Sequence, residues 1–317
     1  MSRRIPLLDL SHYTRGTAQE RDGFVKAWGD GLQEFGFVSI INHGVDPEVI
    51  ARTYEDAARL FALPLEVKAK CDVPGGGGQR GYTSFGKEHA KNRAVGDLKE
   101  FWHVGRDLPE GSARRSAYGE NQFPAELKTF KANSLSLFNA LDAAAAVMLR
   151  ALADFFTLPR ETFADMAHEG NSVLRIIHYP PLKDAFIPGG VRAAEHEDIN
   201  LITLLCESTS SGLEVLTRQG EWIAVDALKG QIVVDSGDML SRITNEVIPA
   251  TTHRVVNPPS TKDDVVRYSM PFFVHPYPDC MLKIFDQCVT KENPKRYPDI
   301  TADAFLQQRL REIGLIK

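Results

Sequence analysis

Cysteine is scarce in this chain of 317 residues: Cys71, Cys206, Cys280 and Cys288 lie far apart with no CxxC spacing. That argues against a disulfide scaffold or a cysteine-built zinc site and predicts reduced thiols in a cytoplasmic protein. Basic charge is not in excess. The formal net charge is −5, whereas nucleic-acid-binding domains are strongly basic, so no nucleic-acid partner is expected. No apolar run reads as approaching the roughly 20 residues of a membrane span, so no membrane partner is expected. The opening "IPLLDL" is too short, and too interrupted by Asp9, for a signal-peptide core. Behind the four glycines 75–78 there is no GK[ST], which excludes a phosphate-cradling P-loop and leaves a flexible loop, or one that folds over a substrate. Internal repeats and long low-complexity tracts are absent, and nothing fixes an oligomeric state.

What is present is an ordinary globular balance, with 43% hydrophobic residues. "IPLLDL" reads as a first edge strand with Pro6 near its start. Residues 18–35 carry Phe24, Trp28, Leu32 and Phe35 on one helical stripe. "GFVSIINHGV" reads as a buried strand, and residues 47–62 as a helix with Asp46 as cap and Pro47 at its first position. "PLEVKAKC" continues in helix. The longest helical stretch is 124–157, rich in alanine. From residue 171 the texture changes to short β-rich runs separated by Gly, Pro, Asp or Asn, the spacing of an antiparallel sandwich or barrel. "TADAFLQQRLREIGLI" closes as an amphipathic helix. The expected organisation is an N-terminal α/β region (1–123), a long helical connection (124–170), a β core (171–290) and a C-terminal helix (291–317).

Two constellations carry chemistry. In "AAEHEDINLITLL", His196 and Asp198 stand two apart at the mouth of an apolar, β-branched run. If the extended conformation begins that early, both side chains share one face. A single His-x-Asp pair is common by chance and needs a third ligand. His253 in "IPATTHRVV" is the best placed, with His275 before Pro276 and His178 beside Tyr179 as further candidates. Two imidazoles and one carboxylate leave open positions on one face of an octahedral metal, which suits non-haem Fe(II). Taken one at a time, each histidine is more simply a core or loop residue. The second constellation is "VRYSMPFF", where Arg267 and Ser269 share a strand face. An arginine with a neighbouring hydroxyl can grip a carboxylate; the simpler alternatives are a surface arginine or a structural ion pair, and the apolar flanks weigh against the first.

Together these residues resemble the iron- and 2-oxoglutarate-dependent oxygenases of the isopenicillin N synthase type. The resemblance runs over nearly the whole chain, through "IPLLDLS", "FGFVSIINHGV", "DLKEFWHVG", "LRIIHYPP", "HEDINLITLL", "GLEVL", "GEWIAV", "VVDSGDMLSRITNEVIPATTHRVV" and "RYSMPFFVHP". It implies a mainly β fold with surrounding helices, built on a double-stranded β-helix or jelly roll. It implies an oxygenase that hydroxylates, desaturates or cyclises a small organic substrate and releases succinate and CO2. The implied catalytic iron ligands are His196, Asp198 and His253. Arg267 and Ser269 match the pair holding the distal carboxylate of 2-oxoglutarate, and Tyr179 a cosubstrate-binding tyrosine. Fe(II), 2-oxoglutarate and O2 are the implied cofactors, with ascorbate a candidate reductant. One departure concerns the chelating end of the cosubstrate: Ile177 stands where many members have asparagine.

Two other readings stay open. Relatives that keep the triad and an Arg-x-Ser pair act as oxidases without 2-oxoglutarate, and a jelly roll can also serve as a non-catalytic binding protein. Candidate substrate residues are Arg80, Tyr82, Ser84, Phe101, His103, His178, Leu213, Phe273 and His275. Arg80 could meet an acidic substrate group or be a solvated loop residue, and Phe101 and Phe273 could equally be plain core.

Overall fold

The structure, a computed structural model, describes residues 4–76, 78–89, 95–185, 187–260, 262, 264–313 and 315–316. Gly77 of the glycine run lies outside the described residues. The chain opens with β1 (Leu7–Asp9), α1 (Leu10–Arg15), α2 (Ala18–Phe35), β2 (Phe37–Ile41), α3 (Pro47–Phe61) and α4 (Leu65–Ala69). Then come β3 (Gly81–Thr83), β4 (Glu100–Gly105), α5 (Lys128–Phe155), α6 (Thr162–Ala167), β5 (Val173–Tyr179), α7 (Leu182–Ala185) and β6 (Ala193–His196). There follow β7 (Ile202–Leu205), β8 (Leu213–Leu216), β9 (Trp222–Ala224), β10 (Ile232–Ser236), α8 (Asp238–Ile243) and β11 (His253–Val255). The chain ends with β12 (Arg267–Ser269), β13 (Pro271–Val274), β14 (Met281–Leu282), β15 (Ile300–Thr301) and α9 (Ala302–Glu312).

Local signals set the helix starts. Thr17 and Glu20 form a capping box at the start of α2, and Asp46 caps α3 ahead of Pro47, satisfying amides that have no partner inside the helix. Gly36 ends α2 in the left-handed region at φ 66°, and a Cβ there would lie 2.0 Å from Thr251 Oγ1. This abrupt stop starts β2 at once and carries Phe37 into the interior.

Two sheets face each other as a jelly roll. The larger has strand order β1-β2-β10-β7-β13-β5-β4-β3, with β12 also paired to β5; the smaller runs β6-β11-β8-β9. Side chains alternate along each strand, and both sides of the large sheet are covered. Facing the small sheet, Phe37 and Val233 meet Leu213 and Val215, while Phe101, Ile177 and Tyr179 meet Ala193 and Val255. Facing outward, Val38, Ile40, Trp102, Leu174, Ile176 and Phe272 pack on α2, α3 and α5. Each fully buried large apolar side chain contributes about 1.5–3 kcal/mol.

The α5 helix is the spine of that outer layer. By length and composition it could cross a membrane, contrary to the reading that no run approaches that length. Its apolar face is spent on the core: Leu137, Leu141, Met148, Leu149 and Leu152 are fully buried.

Two elements were not assigned from the sequence, and a third departs from its reading. The "EFWHVG" segment is a full strand, β4, paired along the length of β5. Within "GDMLSRITNEV", α8 is a short helix begun directly after β10. The strand holding His196 ends at that residue, so Asp198 lies in the loop beyond rather than two along the same strand. All four cysteines are buried and unpaired.

Candidate functional site

Antiparallel pairing brings the histidines together. In the ladder between β6 and β11, His253 stands directly opposite His196, and their rings lie 4.3 Å apart. The loop after β6 folds Asp198 back between them, with Oδ1 3.9 Å from His196 Nε2 and 3.8 Å from His253 Nε2. Ligand atoms of the three all lie within 4.8 Å of one another, close enough to hold a metal ion.

Backbone carbonyls set the imidazoles. His196 Nδ1 is 2.7 Å from Ala194 O and His253 Nδ1 is 3.1 Å from Thr251 O. A carbonyl only accepts, so each Nδ1 carries the proton and each Nε2 presents a lone pair toward Asp198. Burial and the neighbouring His253 push the pKa of His196 down to about 4, although a third of its side chain faces the cavity. Asp198 is held from behind: Thr203 Oγ1 donates to its Oδ2 and in turn accepts from Asn200 Nδ2 at 2.8 Å. Burial, then the charge of Asp198, raises the carboxyl pKa of Asp235 well above the usual range.

Next to the triad an inner chamber is lined by Tyr179, Leu213, Arg267 and Ser269. Register explains the grouping: Arg267 pairs with Tyr179 and Ser269 with Ile177, so all four project to the interior. Arg267 is 1% exposed. Its Nε donates to Ser210 O at 3.1 Å and its guanidinium lies 5.0 Å from the Tyr179 ring. Its Nη1 has no acceptor, and no carboxylate among the described residues pairs with it. A second arginine, Arg192, has its pKa lowered by burial and by the charge of Arg267. A buried, uncompensated guanidinium beside a hydroxyl is what a carboxylate ligand would complete.

Outside the triad opens a cavity of about 310 Å³. Of the nine candidate substrate residues, His103, Phe273 and His275 line it. Burial is the main cause that lowers the pKa of His275 to about 4. Leu213 belongs to the inner chamber. Phe101 lies behind this wall, 4.3 Å beneath the guanidinium of Arg175.

The other four belong elsewhere. His178 and Tyr82 occupy alternate positions that point to the helix side of the sheet. There, Glu100 accepts from Tyr82 Oη, from His178 Nδ1 at 2.8 Å and from Lys68 Nζ at 2.8 Å, and His178 stacks on Phe61. This placement also removes His178 from the candidate ligands. Arg80 is neither solvated nor in the cavity: it is 4% exposed and donates to Gln79 O, Gly119 O and Asn171 Oδ1. Ser84 lies in the turn after β3, where its carbonyl accepts from Lys87 N.

The sequence reading missed one hydrogen-bonded wall of the cavity. Arg175 makes a two-point ion pair with Glu88 at 3.0 and 3.1 Å, and its Nε donates to His103 Nε2 at 2.6 Å. Phe101 and Phe273 flank its guanidinium at 4.3 and 5.0 Å. Lys99 reaches Glu88 at 2.8 Å and Asp97 at 2.9 Å. The available signal was a lone arginine inside the apolar run "VLRIIHY", the same kind of signal that singled out Arg267.

Residues 5–126 match the model of the non-haem dioxygenase in morphine synthesis N-terminal family, and residues 170–276 match that of the 2OG-Fe(II) oxygenase superfamily. A 2-oxoglutarate-Fe(II) type oxidoreductase of Aspergillus fumigatus is 31% identical, over 96% of this chain and 92% of its own length. The crystal structure of a 2OG-Fe(II) oxygenase family protein from Caulobacter crescentus is 43% identical with a TM-score of 0.86, covering 97% of this chain and 98% of that one. A Neurospora crassa protein, solved at full length in complex with alpha-KG and thymine, is 30% identical with a TM-score of 0.85, covering 97% and 96%.

Proposed function

Because the chain belongs to the 2OG-Fe(II) oxygenase superfamily, we propose that His196, Asp198 and His253 hold its Fe(II) and that Arg267, Ser269 and Tyr179 hold its 2-oxoglutarate. The enzyme is an oxidoreductase that uses Fe(II), 2-oxoglutarate and O2. When bound, iron would activate O2, which is the oxidant, with 2-oxoglutarate giving up two electrons as it is converted to succinate and CO2.

The protein's own residues do the holding and the excluding. Hydrogen bonds to Ala194 O and Thr251 O hold Nδ1 of each histidine, which leaves the two Nε2 atoms as the ligating positions and aims them at one point. Thr203 fixes Oδ2 of Asp198, which leaves Oδ1 for the metal. Arg267 supplies the charge, and Ser269 the hydroxyl, for the distal carboxylate. Apolar side chains of the interior, Ile177, Leu213 and Val255 among them, keep water from that contact and strengthen it. Substrate enters the outer cavity as a small organic molecule, of the size of the thymine in the Neurospora crassa complex, and is hydroxylated, desaturated or cyclised there.

The observation that carries this reading is the unpaired, fully buried guanidinium of Arg267 beside the triad. In an oxidase that dispenses with 2-oxoglutarate, an acidic group of the substrate would have to meet that charge instead. The test is an anaerobic titration of the Fe(II)-loaded protein with 2-oxoglutarate, followed by the weak visible charge-transfer band and, after air is admitted, by succinate release. Iron uptake with neither band nor succinate would overturn the cosubstrate assignment.

A further inference from the structure

Two arginines stand on the two sides of the triad in opposite electrostatic states. Arg267 has no carboxylate partner among the described residues, whereas Arg175 is neutralised by Glu88 and clamped by His103, Phe101 and Phe273. Lys99, the next cation in the outer cavity, is neutralised by Glu88 and Asp97. The remaining cation among the described lining residues, Arg309 of α9, is paired with Asp238 at 3.0 Å and Glu312 at 2.8 Å. Among the described residues lining the cavity, these three cations face seven carboxylates. Among the described residues, a carboxylate entering here would meet no side-chain cation that is not already paired, and would lose its water without that return.

The cavity still offers directed hydrogen bonding. A guanidinium has five N–H donors; three of Arg175's are committed to His103 and Glu88, which leaves two for a ligand. One is on Nη1 and one on Nη2, on opposite sides of the paired and stacked guanidinium, so a ligand meets a preorganised donor edge of one N–H within an electrically neutral pair. The wall from the C-terminal segment is of different character, with Leu306, Leu310, Ile313 and Leu315 lining the cavity.

We propose that the outer cavity selects an uncharged small molecule with a hydrogen-bond acceptor, such as an amide or ketone oxygen, for Arg175 and an apolar body for the C-terminal helix, and that it discriminates against carboxylates. This specificity rests on the reading that the outer cavity is where substrate meets the metal. Glu88 is then a specificity-determining residue that acts through Arg175: it sets the charge of the donor edge without touching substrate itself.

The test uses the full chain loaded with Mn(II) and 2-oxoglutarate and a panel of matched fragment pairs, benzamide with benzoate and phenylacetamide with phenylacetate among them. Ligand-observed NMR measures binding, with the 2-oxoglutarate signal recorded in the same samples. Wild type binds the amide of a pair about tenfold or more tightly than its acid, a difference of one decade in affinity. Glu88→Gln leaves Arg175 charged and narrows or reverses that ratio in favour of the acid. Should that variant fail to fold, the wild-type ratio decides alone. Acids bound as tightly as amides by the wild type, or a panel in which neither member of any pair binds, would overturn the proposal, and so would an unchanged ratio in a folded Glu88→Gln. If 2-oxoglutarate itself fails to bind, the reading beneath it falls and takes this one with it; acid binding with the 2-oxoglutarate signal intact overturns the specificity alone.

Discussion

Replacing Arg267 by methionine separates its cost to the fold from its use to the site. In the ligand-free protein the guanidinium is 1% exposed, donates one hydrogen bond to Ser210 O and leaves Nη1 unsatisfied. Burying an ion carries an effective penalty of several kcal/mol, recovered only through good partners. An apolar side chain of similar length removes that penalty and gives up one hydrogen bond worth roughly 1 kcal/mol. Arg267→Met is therefore expected to leave the metal-free, cosubstrate-free protein as stable as wild type, or more stable by about 1 kcal/mol. The ligand side runs the other way. Truncating one partner of a buried, hydrogen-bonded charge pair costs about 2–5 kcal/mol, and Ser269 keeps part of the contact. The lower bound translates into 2-oxoglutarate binding weakened about 30-fold. Urea unfolding of the ligand-free proteins gives the first quantity, and calorimetric titration of the Mn(II)-loaded proteins gives the second. A variant destabilised by more than about 2 kcal/mol with unchanged 2-oxoglutarate affinity would refute the argument and make Arg267 a structural residue.

Further expectations follow from the same contacts. Thr203→Val removes the donor behind Asp198 Oδ2 and should weaken Fe(II) binding about 10- to 100-fold, measured by competition with a chelator. Lys68→Met leaves Glu100 short of its charge partner on the helix side of the sheet. It should cost about 3 kcal/mol in stability while 2-oxoglutarate affinity, read by calorimetry, stays put. His275 has a folded pKa of about 4 against an ordinary 6.5, so its contribution is complete above pH 6.5 and is lost as pH falls toward 4, where the unfolded chain takes up a proton that the folded one refuses. His275→Gln should flatten the fall in unfolding free energy across that window by on the order of 3 kcal/mol, as followed by urea melts at stepped pH.

The sequence made some of this legible and hid the rest for a definite reason. His196 and Asp198 stood out because charges at the mouth of a β-branched run need an explanation, and Arg267 because its flanks are apolar. That His253 sits opposite His196 is a matter of register between β6 and β11, and register between strands so far apart in the chain is not written in local pattern. The faces of β4 and β5 were unreadable because both sides are buried, one against the small sheet and one against α3 and α5. In "VLRIIHY" apolar residues fall on either face, so period-two alternation could not say that Arg175 points to the cavity and His178 away from it. Tyr82 and Arg80 were misplaced for a related reason, since both lie beyond a glycine-rich loop whose path the sequence does not fix. Glu88, Asp97 and Lys99 carried no spacing signal at all; only the fold sets them against Arg175.

The central claim is that three particular side chains hold the iron. Equilibrium dialysis of the full chain against Fe(II) under argon, with iron counted per polypeptide, tests it most directly. A single tightly held Fe(II) in the wild type, lost in His196→Ala, Asp198→Ala and His253→Ala but retained in His178→Ala and His275→Ala, is the predicted result. Iron retained by the triad variants, or lost from His275→Ala as fully as from His253→Ala, would contradict it.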